Sequence, residues 1–229
     1  MKIELVVFDM AGTTVNDDDS VNRCLQSALR AAGLDVSRDD VNSVMGLAKP
    51  EAIAILIERS SFRDSLRSRI ESIHRDFLTR SIEFYQRDPS VREVDGASEV
   101  FKRLKRSGIG VALDTGFSRP IAGVILERLG WTHTELIDAT ICSDEVPRGR
   151  PEPDMIFSLM QRLGVTDARQ VAKIGDTPSD LEEGMRAGCG LVIGVLRGTH
   201  TREELEPHPH SHFIDTIAEL PALLGIDDD

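Results

Sequence analysis

The chain predicts an α/β fold: a parallel β-sheet covered on both faces by helices, with a helical block inserted after the first strand. Two observations predict it. Short, β-branched apolar runs alternate with amphipathic stretches along most of the 229 residues, and such alternation builds a parallel sheet. Residues from about 20 to 92 break the alternation and contain no strand pattern.

The first run, 3–8, ends in Asp9 and reads as a fully buried strand. The block that follows reads as helices at 21–32, 38–44, 51–58 and 62–85. Gly33 and Gly46 mark helix stops, and Pro50 suits a first turn. A helical block placed between the first strand and the rest of a parallel sheet is most simply a cap over the site. The expected division is a core of 1–16 and 93–229 and a cap of 17–92, with hinges at 16–20 and 92–96. Alternation then resumes: helix 97–106, strand 110–114, helix 119–129, strand 139–142, helix 153–163, strand 171–174, helix 179–187, strand 191–195 and helix 217–224. Residues 227–229 read as a frayed acidic tail.

The formal charge of −12 argues against a nucleic-acid or anionic-membrane binder. A small anionic substrate stays open, because a local cation can reverse the field. Cys24, Cys142 and Cys189 are odd in number and far apart, so reduced thiols are expected rather than a disulfide framework or zinc site. The apolar run at the start is too short for a signal peptide, and no stretch approaches a membrane span. A cytoplasmic location is expected. The six histidines (His74, His133, His200, His208, His210 and His212) show no metal-ligand pairing and read as surface.

In a parallel sheet, ligands bind at the carboxyl ends of the strands. The first strand is followed by Asp9-Met10-Ala11-Gly12-Thr13-Thr14, the second by Asp114-Thr115-Gly116. After the third comes Gly149-Arg150-Pro151, and after the fourth Gly175-Asp176-Thr177-Pro178-Ser179-Asp180. Any one of these in isolation reads as a turn, a cap or a solvated charge. Together they form a coherent chemical set. Asp9 and Asp176 make a hard-oxygen site suited to Mg²⁺, which can offset the repulsion between a phosphoryl oxygen and an attacking carboxylate. A carboxylate can act as a covalent nucleophile. Thr115, the Gly116 N–H and the Arg150 fork can hold the remaining oxygens. Phosphoryl transfer needs mainly positioning and charge stabilisation.

In these four segments, and over nearly its whole length, the chain resembles the haloacid dehalogenase superfamily. The resemblance implies a Rossmann-like core with a variable cap. It is narrower toward the phosphonoacetaldehyde hydrolases (phosphonatases). Three features carry this: Ala11 where most superfamily phosphatases have a second Asp, Arg150 where most have Lys, and Met45-Gly46-Leu47-Ala48-Lys49, which is similar to the segment bearing the phosphonatase Schiff-base lysine. The resemblance implies Asp9 as nucleophile and metal ligand, with the Ala11 carbonyl and Asp176 as further ligands of Mg²⁺. It implies Thr115, Gly116 and Arg150 as phosphate binders, and Asp180 as support for the metal's water shell or for Arg150. Lys49 would form an imine with an aldehyde. Phosphonatases dimerise through their caps, and the 62–85 helix offers such a face, although its apolar positions are as easily explained by packing within the cap.

Ala11 and Lys49 support each other. An ester leaves as a basic alkoxide, and acid help is worth about 10²–10⁴-fold; Ala11 offers none. A carbanion leaving from phosphorus can instead be absorbed by a protonated imine. Lys49 must be partly neutral to form one, against an ordinary pKa near 10.4. The sequence also departs from the phosphonatase pattern. Ala52 stands where those enzymes have a histidine three residues after the lysine, and Asp17-Asp18-Asp19 makes the first linker more acidic. One of these aspartates is a candidate substitute acid, or simply a helix cap ahead of Val21. The expected substrate is a small phosphonate or phosphorylated metabolite: phosphonoacetaldehyde or an analogue, or else a small phosphate ester in a phosphatase or phosphomutase, with Lys49 then a cap residue that contacts the phosphate or faces solvent. A non-catalytic phosphometabolite binder is the third class.

Overall fold

A computed structural model describes residues 2–132 and 134–226. Six strands form one sheet: β1 (Leu5–Asp9), β2 (Gly110–Thr115), β3 (Ala139–Cys142), β4 (Val171–Gly175), β5 (Leu191–Val195) and β6 (His212–Ile214). Their order is β3-β2-β1-β4-β5-β6, and every neighbouring pair is parallel. Every residue of β1 is buried, as a central strand with helices on both faces requires. Its side chains alternate. Val6 and Phe8 join a large apolar cluster on one face, and Leu5 and Val7 join Met155, Ile156 and Leu159 on the other.

The helices of the sheet layers are α6 (Ala97–Arg106), α7 (Arg119–Arg128), α8 (Asp154–Leu163), α9 (Pro178–Ala187) and the short α10 (Arg202–Leu205) and α11 (Leu220–Leu223). Before them comes the inserted layer: α1 (Ser20–Ala31), α2 (Arg38–Asn42), α3 (Lys49–Glu58), α4 (Arg63–Leu66) and α5 (Ile70–Arg87). The helix expected over 62–85 is broken. A 3-10 turn at Arg67–Arg69 separates α4 from α5. The three-residue β6 was not expected; it is short and lies at the sheet edge.

The inserted layer joins the sheet through two connectors that run side by side. The Asn16 N–H donates to the Arg92 carbonyl at 3.0 Å, the Val94 N–H to the Thr14 carbonyl at 2.9 Å, and Val15 and Glu93 form an antiparallel bridge. Ile73, Phe77, Ser81 and Tyr85 recur every four residues on α5 and are all buried. This stripe packs against α1, α3 and α7, with Tyr85 edge-on to Phe117 at 5.7 Å, so it is used within the chain.

The loop before α3 docks on the sheet layer through bare backbone. A Cβ on Gly116 would lie 2.6 Å from the Gly46 carbonyl oxygen and 2.8 Å from that of Leu47. At Gly46, where φ is +82°, a Cβ would lie 2.2 Å from Ser179 Oγ. Both contacts demand glycine. Ser179 Oγ donates to the Met45 carbonyl at 3.1 Å and ties the loop to the start of α9.

Candidate active site

From β1 the chain turns to β2 on one side, and it later returns to β4 on the other. The crevice beyond the carboxyl ends of β1 and β4 is therefore the topological switch point, where such sheets bind ligands. Asp9 ends β1 and Asp176 follows β4. Carboxylate oxygens of Asp9, Asp176 and Asp180 all lie within 4.8 Å of one another, and all three residues are buried.

Each carboxylate is held differently. Arg150 Nη1 donates to Asp9 Oδ1 at 2.7 Å. Thr13 Oγ1 donates to Asp176 Oδ1 at 3.2 Å, and the Thr199 N–H to Asp176 Oδ2 at 2.6 Å. Asp180 Oδ2 accepts from Thr177 Oγ1 in the capping box that starts α9, while its Oδ1 lies 2.9 Å from Arg150 Nη1. Asp180 thus contacts Arg150 and also belongs to the Asp9–Asp176 carboxylate group, so its position is compatible with both roles expected for it.

Arg150 is 1% exposed and meets four carboxylates: Asp9, Asp114 at 2.5 Å, Asp180 and Glu183 at 3.1 Å. Lys173, fully buried in the middle of β4, meets Asp114 at 2.5 Å, Asp180 at 3.1 Å and Glu183 at 3.2 Å. Sequence reasoning missed Lys173 and Glu183 and gave Asp114 no role. The available signal was a lysine inside an otherwise apolar strand, since such a charge is buried only when paired.

The electrostatics bear on metal binding. Asp9, Asp114, Asp176, Asp180 and Glu183 are five buried carboxylates, and among the described residues Arg150 and Lys173 are the only cations that form ion pairs with any of them. Burial, then Asp180 and Asp176 after the opposing pull of Arg150, leaves Asp9 raised to about 8. Burial and Asp180 raise Asp176 to about 6. Burial and Asp114 push Glu183 well above the usual carboxylate range. The cluster is thus short of positive charge on its Asp9–Asp176 side, and its donors are hard oxygens. A divalent cation fits both facts.

A cavity of about 20 Å³ adjoins Asp9. Ala11, Lys49, Thr115, Gly116 and Arg150 line it together with Asp9, so these sequence-predicted residues converge. Asp176 and Asp180 do not line it. Lys49, at the first turn of α3, is 4% exposed. Its Nζ donates only to the Leu47 carbonyl, at 3.3 Å, and stands 5.7 Å from the Phe117 ring centre. Burial is the main cause that lowers its pKa to about 8. Ala52 lies in the apolar core of the inserted layer. Asp17 reaches the cavity wall, and its Oδ1 accepts from the Ser20 N–H at 2.7 Å and the Val21 N–H at 3.3 Å, capping α1.

Three histidines depart from the surface reading. His200 is buried, His74 is half-buried beside a second small chamber, and His208 is half-buried with its Nδ1 3.2 Å from Glu182 Oε1. In each case tertiary packing covers part or all of the ring. His210 and His212 are exposed, and His133 lies outside the described residues, as do 227–229. The three cysteines are free, and no described helix is long and apolar enough to cross a membrane. A larger cleft of about 1000 Å³, lined by Lys2, Ile109, Leu223 and Ile226 among others, contains none of the motif residues.

Comparison with known proteins adds three findings. A family model described as haloacid dehalogenase-like hydrolase matches residues 6–194. A phosphonoacetaldehyde hydrolase of Bacillus cereus (strain B4264) is 28% identical over 219 residues, which cover 90% of this chain and 82% of that one; one from Latilactobacillus sakei is 30% identical over 208 residues, covering 86% and 77%. The crystal structure of a phosphonoacetaldehyde hydrolase-like protein from Oleispira antarctica superposes with a TM-score of 0.85 at 23% identity, covering 98% of this chain and 92% of that one.

Proposed function

The chain belongs to the haloacid dehalogenase-like hydrolases, and from that premise we propose that it cleaves the C–P bond of phosphonoacetaldehyde or a close analogue, with Asp9 as nucleophile and Lys49 as imine-forming amine. One observation carries the reading: a buried lysine, shifted toward neutrality, shares a 20 Å³ cavity with Asp9 and with an alanine at position 11.

The steps balance as follows. Neutral Lys49 Nζ adds to the aldehyde carbon, and uptake of one proton with loss of water leaves a protonated imine. An Asp9 carboxylate oxygen then bonds to phosphorus as the C–P bond breaks. The C–P electron pair passes into the imine, giving a neutral enamine, so no carbanion is released. Protonation at carbon and addition of water free the aldehyde and Lys49. Water hydrolyses the acyl phosphate on Asp9. Arg150, 2.7 Å from Asp9, with Thr115 and the Gly116 N–H, supplies the donors for the phosphoryl oxygens. Mg²⁺, held by Asp9, Asp176 and the Ala11 carbonyl, supplies charge neutralisation between nucleophile and phosphoryl group when bound. In this reading residues 17–92 are the cap and 1–16 with 93–229 the core.

A second reading, hydrolysis of a small phosphate ester, is favoured by one observation: Asp17 stands on the same cavity wall and offers a carboxyl group that Ala11 lacks. Borohydride reduction with phosphonoacetaldehyde and Mg²⁺ separates the two. A reduced adduct on Lys49, with phosphate release abolished in Lys49→Ala, is expected. Phosphate release from esters that persists in Lys49→Ala but falls in Asp17→Asn selects the second reading.

A further inference from the structure

Lys49 and Gly116 form a wall with a cavity on either side. One cavity holds Asp9. The other, about 80 Å³, is lined by His74 from α5, by Ser118 and by Asp144, but not by Asp9. It has room for several waters, since one needs roughly 10–15 Å³. Ser118 is 9% exposed, and its Oγ is buried without a hydrogen-bond partner. Such a group is satisfied when water or a ligand oxygen occupies the chamber.

Imine chemistry needs a proton acceptor and donor beside the lysine. The carboxylates available are engaged. Asp9 is paired with Arg150, Asp17 caps α1, and Asp144 accepts the Arg119 N–H at 2.9 Å. Lys49 itself makes no ion pair among the described residues. His74 is the remaining titratable group on the chamber wall.

We propose that His74 is a further catalytic residue, carrying protons to and from Lys49 and the substrate's carbonyl oxygen through the 80 Å³ chamber. The inference rests on the imine reading of Lys49. When Nζ adds to the aldehyde, the imidazole takes the proton that nitrogen loses. The imidazolium then gives it to the carbinolamine oxygen, and one further proton, taken up from solvent through the chamber, lets that hydroxyl depart as water as the protonated C=N bond forms. Hydrolysis after C–P cleavage runs the same transfers in reverse. Burial lowers the His74 pKa, Asp144 opposes this and Lys49 reinforces it, so the ring starts as a neutral base. Ser118 Oγ holds the departing water.

The test measures borohydride trapping of phosphonoacetaldehyde on Lys49 and phosphate release, both with Mg²⁺. His74→Ala is expected to slow both by about 10²–10⁴-fold, and added imidazole, which fits the vacated space, is expected to restore trapping in this variant alone. His74→Gln, closer in shape, is expected to show the same loss without rescue, and it decides the matter if the alanine variant does not fold. Trapping rates in His74→Gln within threefold of the parent overturn the role of His74 while leaving Lys49 intact. Failure of imidazole to rescue a folded His74→Ala does the same. No adduct in the parent protein removes both readings.

Discussion

Replacing Asp176 with asparagine should make the metal-free protein more stable. Asp176 is fully buried, and burial and Asp180 hold its pKa near 6 against an ordinary 3.8. The unfolded chain ionises this group freely, so between about pH 4 and 6 the folded state binds the extra proton. Stability from this group is therefore highest below pH 4 and is lost as pH rises through 6. A shift of about two units corresponds to about 3 kcal/mol at neutral pH. Asparagine keeps the shape: its amide oxygen can still accept the Thr199 N–H, and its NH₂ can donate to Thr13 Oγ1. For a chain of this size, about 3 kcal/mol raises Tm by roughly 6–12 °C. The assay is thermal melting of parent and variant in chelator, from pH 4 to 8. The gap should open between pH 4 and 6 and stay flat above. Mg²⁺ should then reverse the order, raising the parent by about 4.1 kcal/mol at a thousand times Kd and leaving Asp176→Asn nearly unmoved. A variant that melts at or below the parent at pH 7.5 in chelator, or a gap independent of pH, refutes this reasoning.

Lys49 ionises near pH 8 in the folded protein, so the rate of borohydride trapping should rise with pH and level off just above 8; a rise continuing beyond pH 10 would place the amine in water. Lys173→Met removes one of two cations from a buried cluster of carboxylates, and such a loss costs about 3–5 kcal/mol; urea unfolding should show it, and a change under 1 kcal/mol would mean the cluster relaxes by taking up protons. Gly116→Ala forces a methyl group against the Gly46 and Leu47 carbonyls, so amide exchange at 46–49 should quicken and turnover fall, while urea stability changes little.

Much of the site was legible because its residues sit where chain direction alone puts them. Asp9, Thr115 and Asp176 end parallel strands, and parallel strands point their ends one way. Ala11 and Lys49 were singled out together from sequence, and both line the cavity beside Asp9. The rest depends on what folds over what. Lys173 reads as a charge out of place until Asp114 and Glu183 are seen around it. His74 lies 25 residues beyond Lys49 in sequence, and only the pairing of α3 with α5 brings them to one chamber. The break at 67–69 and the edge strand β6 are three-residue features, too short to produce a periodic signal.

The glycine seam between Gly46 and Gly116 has a mechanical consequence. No side chains interlock across it, so parting the two surfaces there meets no steric snag. Lys49 is only three residues from that seam, whereas Asp9 and Arg150 ride on the sheet. Lifting the loop would carry Lys49 away from Asp9 and Arg150 and open the small cavity that all three line, so in the proposed reaction its two ends would be assembled only while this seam is closed.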